Sequence, residues 1–365
     1  MPWRIVRAIS SFVTLILFSL TIVPSQSPSP PSQPDAGPGG KQYAHASVTR
    51  NRYGTGGQEY WIFEPNAPKP SASSLIVFLH GWGGMNPLYY GAWLDHLVRR
   101  GNIVVYPRYQ SGLLTPVKDF TPNTIRAIKD AIARLQTETG HVRPDLNKFA
   151  VVGHSMGGLL AANVAALASE SGLPQVHAMM SAEPGLTEAP VNFPLADLKK
   201  IPSAMLLLAL VGDQDTLVGD RDAKRVFAES THVSAENKDF ITLVTDTHGT
   251  PALQASHRAP TAPDKSYDSE EGKLKNSNQV GGLGSEQDAS RRGASEEARG
   301  MGPQRSAAVN ALDFYGTWKL FDGLCDAAFY GKNREYALGN TPQQRFMGKW
   351  SDGVPVKELK VTDKP

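Results

Sequence analysis

The sequence predicts an α/β fold in which a mostly parallel central sheet is covered by helices on both faces. Short apolar runs alternate with segments of helical periodicity, the signature of strands crossed over by helices. The 365 residues are 40% hydrophobic and 20% charged, as in an ordinary globular chain. Two compositionally biased segments, once set aside, leave about 280 residues, the size of one large α/β domain. The balance of 37 Lys+Arg against 35 Asp+Glu gives a formal charge of +2, too small a field to hold nucleic acid. A single cysteine, Cys325, excludes an internal disulfide and every CxxC-based zinc, iron–sulfur or redox site.

Taken in order, residues 1–27 carry Arg4 and Arg7 ahead of the apolar run SFVTLILFSLTIV, which predicts a signal peptide and a secreted protein, periplasmic or extracellular. An uncleaved N-terminal anchor tethering the protein to a membrane is the alternative. The run reaches the roughly 20 residues of a spanning helix only if counted from Trp3. Residues 28–41, rich in Pro, Ser and Gly, read as an extended, solvated linker. The folded domain is expected over 42–365. EYWIFEP (59–65) reads as an edge strand, followed by strands at 74–81 and 102–109. Ile125, Ile128, Ile132 and Leu135 then mark a helix over 121–140, with Thr121 as its cap before Pro122. The strand 148–155 leads into the small-residue helix GGLLAANVAALASES, and further strands follow within 176–185, 203–215 and 239–249. From about 259 to 306 charges, Gly and Ser dominate, and a disordered insertion is expected. Cys325 reads as a small buried residue of a terminal helix.

GHSMG at 153–157 fits GxSxG between an apolar strand and a helix, the setting of a nucleophile elbow, and makes Ser155 the candidate nucleophile. Gly153 and Gly157 give the clearance that a sharp strand-to-helix turn needs. Because Gly–Ser turns also occur for no chemical reason, the reading requires partners. A serine hydroxyl needs a histidine to take its proton and a carboxylate to orient that histidine. LLLALVGDQD ends an apolar strand at Asp213 and Asp215, and DTHG places His248 after the next strand. The predicted triad is therefore Ser155, Asp215 and His248, with Asp213 and Glu183 as alternative acids and His257, nine residues on, as the alternative base. The Gly-rich turn FLHGWGG and the elbow itself suggest the amides of Trp82 and Met156 as an oxyanion hole.

HGWGG, GHSMGG, GDQD and DTHG, in this order and spacing, resemble the α/β-hydrolase superfamily over about residues 47–258. The resemblance implies an α/β-hydrolase fold, with the triad on loops at the C-terminal edge of the sheet and hydrolysis through an acyl-enzyme. Its GxxD pattern selects Asp215 over Asp213. In members that carry the acid after the preceding strand, the corresponding residue here is Glu183. The short interval between Glu183 and Ser203 leaves no room for a large cap domain, so an open site is expected. The resemblance also implies that His154 points into packing. His80 reads as structural within the oxyanion loop.

The expected activity is that of a serine esterase, a lipase-like carboxylesterase, acting on a small-molecule or lipid-like ester. Trp82 and Tyr89 would line its substrate site, while Tyr90 and Trp93 read equally well as pocket or as core. An amidase, peptidase or acyltransferase would use the same triad, and a non-catalytic binding protein could keep the same fold. The nine histidines form no HExxH or carboxylate cluster, so neither a metal nor a cofactor is expected.

Overall fold

A computed structural model describes residues 27–269 and 307–365. Its nine-stranded sheet runs in the order β1-β2-β4-β3-β5-β6-β7-β8-β9. The strands are β1 (Ser47–Tyr53), β2 (Tyr60–Asn66), β3 (Ala72–Leu79), β4 (Asn102–Pro107), β5 (Arg143–His154), β6 (Ala178–Ala182), β7 (Leu206–Gly212), β8 (Lys238–Leu243) and β9 (Lys360–Thr362). From β4 to β8 every pairing is parallel, and the antiparallel pairings lie at the two margins. Parallel strands covered on both faces need apolar side chains on both, which is why SLIVFL and LLLALV read as unbroken apolar runs. In register, Val77 faces Val105 on one side and Val151 on the other.

Helices α2 (Phe120–Thr137), α3 (Met156–Leu167) and α4 (Arg221–Glu229) bury their apolar sides against one face. Helices α1 (Gly91–Arg99) and α5 (Lys319–Tyr330) cover the other. Cys325 is buried in α5. Between β6 and β7 the chain forms only one short 3-10 turn, Leu198–Lys200, so no helical cap stands over the sheet edge.

Several expectations need correction. EYWIFEP is not an edge strand: β1, whose polar residues SVTRNRY hid it, pairs outside it along its whole length. Helix α2 begins at Phe120 because a 3-10 turn, Val117–Asp119, runs directly into it. Thr121 is thus inside the helix, and its Oγ1 accepts a hydrogen bond from Asn163 Nδ2 at 3.0 Å.

The stretch 28–41 is a seated strap rather than a solvated linker. Gly39 N–H donates to Asp322 Oδ2 (2.7 Å), Ser351 N–H to Ser29 O (3.0 Å) and Thr250 N–H to Pro28 O (2.8 Å). Asp322 also receives His96 (2.8 Å) and Arg100 (3.2 Å), so one buried carboxylate on α5 gathers the strap and α1. Glycine here serves close backbone approach: a Cβ on Gly39 would come 2.0 Å from Phe314 O.

The first residues of the expected disordered insertion are also folded. Ala259, Ala262 and Tyr267 are buried, and the segment bonds along the start of α1 through Ala262 N–H to Tyr89 O and Ala92 N–H to Ala262 O. The rest of that expectation, 270–306, lies outside the described residues, as do residues 1–26 of the signal or anchor expected over 1–27. No helix among the described residues is long and apolar enough to cross a membrane.

Candidate active site

The turn from β5 into α3 carries Ser155 at φ 57°, ψ −125°, a strained backbone conformation for a residue with a side chain. The neighbouring glycines permit it. A Cβ on Gly153 would come 1.9 Å from Gly157 O, and one on Gly157 would come 2.0 Å from Leu79 O. Ser155 N–H donates to Ala182 O at the end of β6 (2.9 Å), which fixes the elbow to the sheet.

On the turn after β7, Asp215 accepts from the amides of Leu217 (3.0 Å) and Val218 (3.1 Å) through Oδ1, an arrangement that aims Oδ2 across the sheet edge. There it meets His257 Nδ1 at 2.8 Å, and His257 Nε2 lies 3.0 Å from Ser155 Oγ. Burial pushes the Asp215 carboxyl upward, but the hydrogen bond and charge of His257 and the two amides outweigh it and hold the group below the usual carboxylate range. Asp213 is instead a turn residue, accepting from the Thr245 amide and hydroxyl.

His257, not His248, therefore faces the serine. Beyond β8 the chain doubles back through a bridge between Asp246 and Leu253. His248 lies within that reversal and is carried outward, where it pairs with Asp352 at 2.7 Å with its side chain 37% exposed. The returning limb crosses so close above β7 that a Cβ on Gly212 would come 2.2 Å from Ala255 O, and it delivers His257 to the site. A sequence signal for this existed. In LQASH, Leu253, Ala255 and His257 alternate with polar residues, and all three are buried in phase.

Glu183, at the end of β6, is wholly buried with φ 47°. Its Oε2 is 3.6 Å from His257 Nδ1 and 3.7 Å from His154 Nε2, so it flanks the imidazole that Asp215 contacts directly. The ligand atoms of His154, Glu183 and His257 lie within 4.8 Å of one another, a spacing that could hold a metal. Both nitrogens of each imidazole are already engaged, however: His154 with Tyr90 and His257 O, His257 with Asp215 and Ser155.

The loop after β3 lies against the serine: a Cβ on Gly81 would come 3.2 Å from Ser155 Cβ. Its amides are sorted by their partners. Gly81 N–H donates to Tyr90 OH (2.9 Å), Gly83 N–H to Gln110 Oε1 (2.9 Å) and Gly84 N–H to Gly81 O (2.9 Å). Among the described residues, the Trp82 amide has no such partner, and Met156 N–H is a first-turn helix amide with none inside its helix. Below the loop His80 stacks on Tyr109 with ring centroids 4.1 Å apart, and burial pulls its imidazole down to about 4.

The Trp82 indole is half-buried, edge-on to Phe120 and donating to Leu113 O (3.3 Å). Tyr89 is partly buried in the 3-10 turn before α1, packed against the core of that face, while Tyr90 and Trp93 are core residues with no exposure. The site is not open as expected. Ser155 and Met156 have no solvent exposure, and the loops after β6 and β7 meet so closely that a Cβ on Gly185 would come 2.3 Å from Val218.

The model of the alpha/beta hydrolase family matches residues 76–272, more than half of the chain. The chain belongs to the alpha/beta hydrolase family. The match supports a hydrolase-type function for this alpha/beta hydrolase, and its span takes in the loop after β3, the elbow, Asp215 and His257. The α5 segment and the chain after it lie outside the match. No curated protein matches the chain.

Proposed function

We propose that the protein is a serine hydrolase that cleaves carboxylic esters through an acyl-enzyme on Ser155. The observation that carries this reading is the single imidazole of His257, hydrogen-bonded to Ser155 Oγ through one nitrogen and to Asp215 through the other. Ser155 Oγ attacks the ester carbonyl carbon as its proton passes to His257 Nε2, and Asp215 stabilises the imidazolium so formed. The tetrahedral oxyanion is received by the amides of Trp82 and Met156, each worth about 2.7–4 kcal/mol of transition-state stabilisation. Collapse expels the alcohol with the proton from His257. Water, deprotonated by the same imidazole, then releases the acid.

The substrate class is a small-molecule or lipid-like ester, held against Trp82 and Tyr89. The protein is exported, and residues 1–27 either direct that export or remain as a membrane tether. The purified chain is tested with a fluorophosphonate probe and with p-nitrophenyl acetate, alongside Ser155→Ala. Labelling and turnover that vanish together in the variant support the reading. Labelling accompanied by cleavage of an anilide but not of the ester would move the activity to amides, and a folded wild-type protein that does not label would overturn the serine mechanism.

A further inference from the structure

We propose that Tyr90 and His154 are positioning residues, joining the oxyanion loop to the base through one buried hydrogen-bonded chain; this rests on the serine-hydrolase reading above. With His154 neutral, every direction in the chain is fixed by chemistry. The carbonyl of His257 can only accept, so His154 Nε2, 2.8 Å away, carries the proton. Neutral His154 then presents a lone pair at Nδ1, and the Tyr90 hydroxyl at 2.8 Å donates to it. Tyr90 Oη, having donated its only proton, accepts from Gly81 N–H at 2.9 Å.

The chain thus runs from Gly81 through Tyr90 and His154 to His257, and it ties together the loop after β3, the turn before α1, the end of β5 and the limb returning from β8. All four residues are buried. Its two ends lie where geometry matters most. Gly81 precedes Trp82, whose amide is the proposed oxyanion donor, and with Gly83 N–H pinned by Gln110 the intervening peptide is held from both sides. At the other end the bond grips the backbone of the base itself. The junction is close-packed, since a Cβ on Gly81 would approach Tyr90 Oη to 3.3 Å. Protonating His154 at both nitrogens would reverse the bond to Tyr90, so the chain also requires a neutral ring.

The test uses the full chain with p-nitrophenyl acetate as substrate. Tyr90→Phe keeps the ring in its aromatic cluster and removes only the bridging oxygen. It is expected to lower kcat about 10- to 100-fold while KM stays within about twofold, because a small misalignment of transition-state donors costs rate rather than binding. His154→Leu should behave alike. His154→Gln, which retains one acceptor and one donor, should recover most of the loss, and Tyr90→Phe/His154→Leu should be no worse than the poorer single variant. Unchanged kcat in folded Tyr90→Phe, no recovery by His154→Gln, or multiplicative losses would each overturn the proposal. If wild-type protein neither labels nor turns over ester, the serine-hydrolase reading fails separately. Amide hydrogen exchange then decides the link: Tyr90→Phe must loosen both the 81–84 loop and the segment around His257, and loosening of the loop alone would refute it.

Discussion

His257–Asp215 at 2.8 Å and His248–Asp352 at 2.7 Å are histidine–aspartate pairs of nearly equal length. They differ in everything except distance. In the first both side chains are almost wholly enclosed, Asp215 is braced by two amides, and the far nitrogen of the imidazole meets a serine. In the second both partners are more than a third exposed, and the ring stands edge-on to Trp350. An ion pair in water is screened and loses side-chain entropy to hold its shape, whereas an enclosed pair orients a proton for a neighbour. A short histidine–carboxylate distance is therefore not the mark of a reactive site, and neither is enclosure, since His96 and Asp322 are enclosed at 2.8 Å with Tyr43 on the other nitrogen; what sets His257 apart is that its far nitrogen meets the serine of the elbow.

The largest effects should fall on the enclosed pair. Ser155→Ala and His257→Ala should each reduce kcat for p-nitrophenyl acetate by a factor on the order of 10⁶, with circular dichroism unchanged. Asp215→Asn should cost about 10⁴, since it leaves the imidazole in place with its tautomer and charge unsupported. An acid-stability series sharpens the contrast. Because the Asp215 carboxyl is held below its ordinary value, its stabilising effect is fully present above about pH 4 and is lost as the pH falls through its lower folded value. In a Ser155→Ala background, melting temperatures with and without Asp215→Asn should therefore differ at pH 6 and converge in stronger acid. Smallest of all, His248→Ala and Asp352→Asn should leave kcat within about twofold and the melting temperature unmoved. A collapse of activity in His248→Ala would reverse the contrast altogether.

The elbow and the strands that carry the site were legible because their physics is local. Two glycines around Ser155 and unbroken apolar strands follow from steric clearance and two-sided burial, and both appear in a few adjacent residues. The end of an apolar run offered Asp213 and Asp215 alike, and the GxxD pattern of the resemblance selected Asp215. The base was not legible, because the sequence shows His248 and His257 nine residues apart but not the reversal at the Asp246–Leu253 bridge that turns one outward and the other in. Tyr90 read equally as pocket or core, and the structure makes it a core residue whose hydroxyl reaches the site loop. The strap at 28–41 failed for another reason: its composition predicts weak burial, but its anchors are backbone groups, and composition does not report where an amide will find a carboxylate.

Those anchors also bear on how the chain comes to be made. Ser29 and Ser351 bond to each other across 322 residues of sequence, and Gly39 reaches Asp322 across 283. At roughly 5–20 residues per second, the partners of the strap emerge on the order of 15–60 s after the strap itself. The first described residues to be synthesised are thus among the last able to find their place. Thr250 can meet Pro28 earlier, but the strap seats on α5 only once Asp322 has been made, and its bond to Ser351 forms later still.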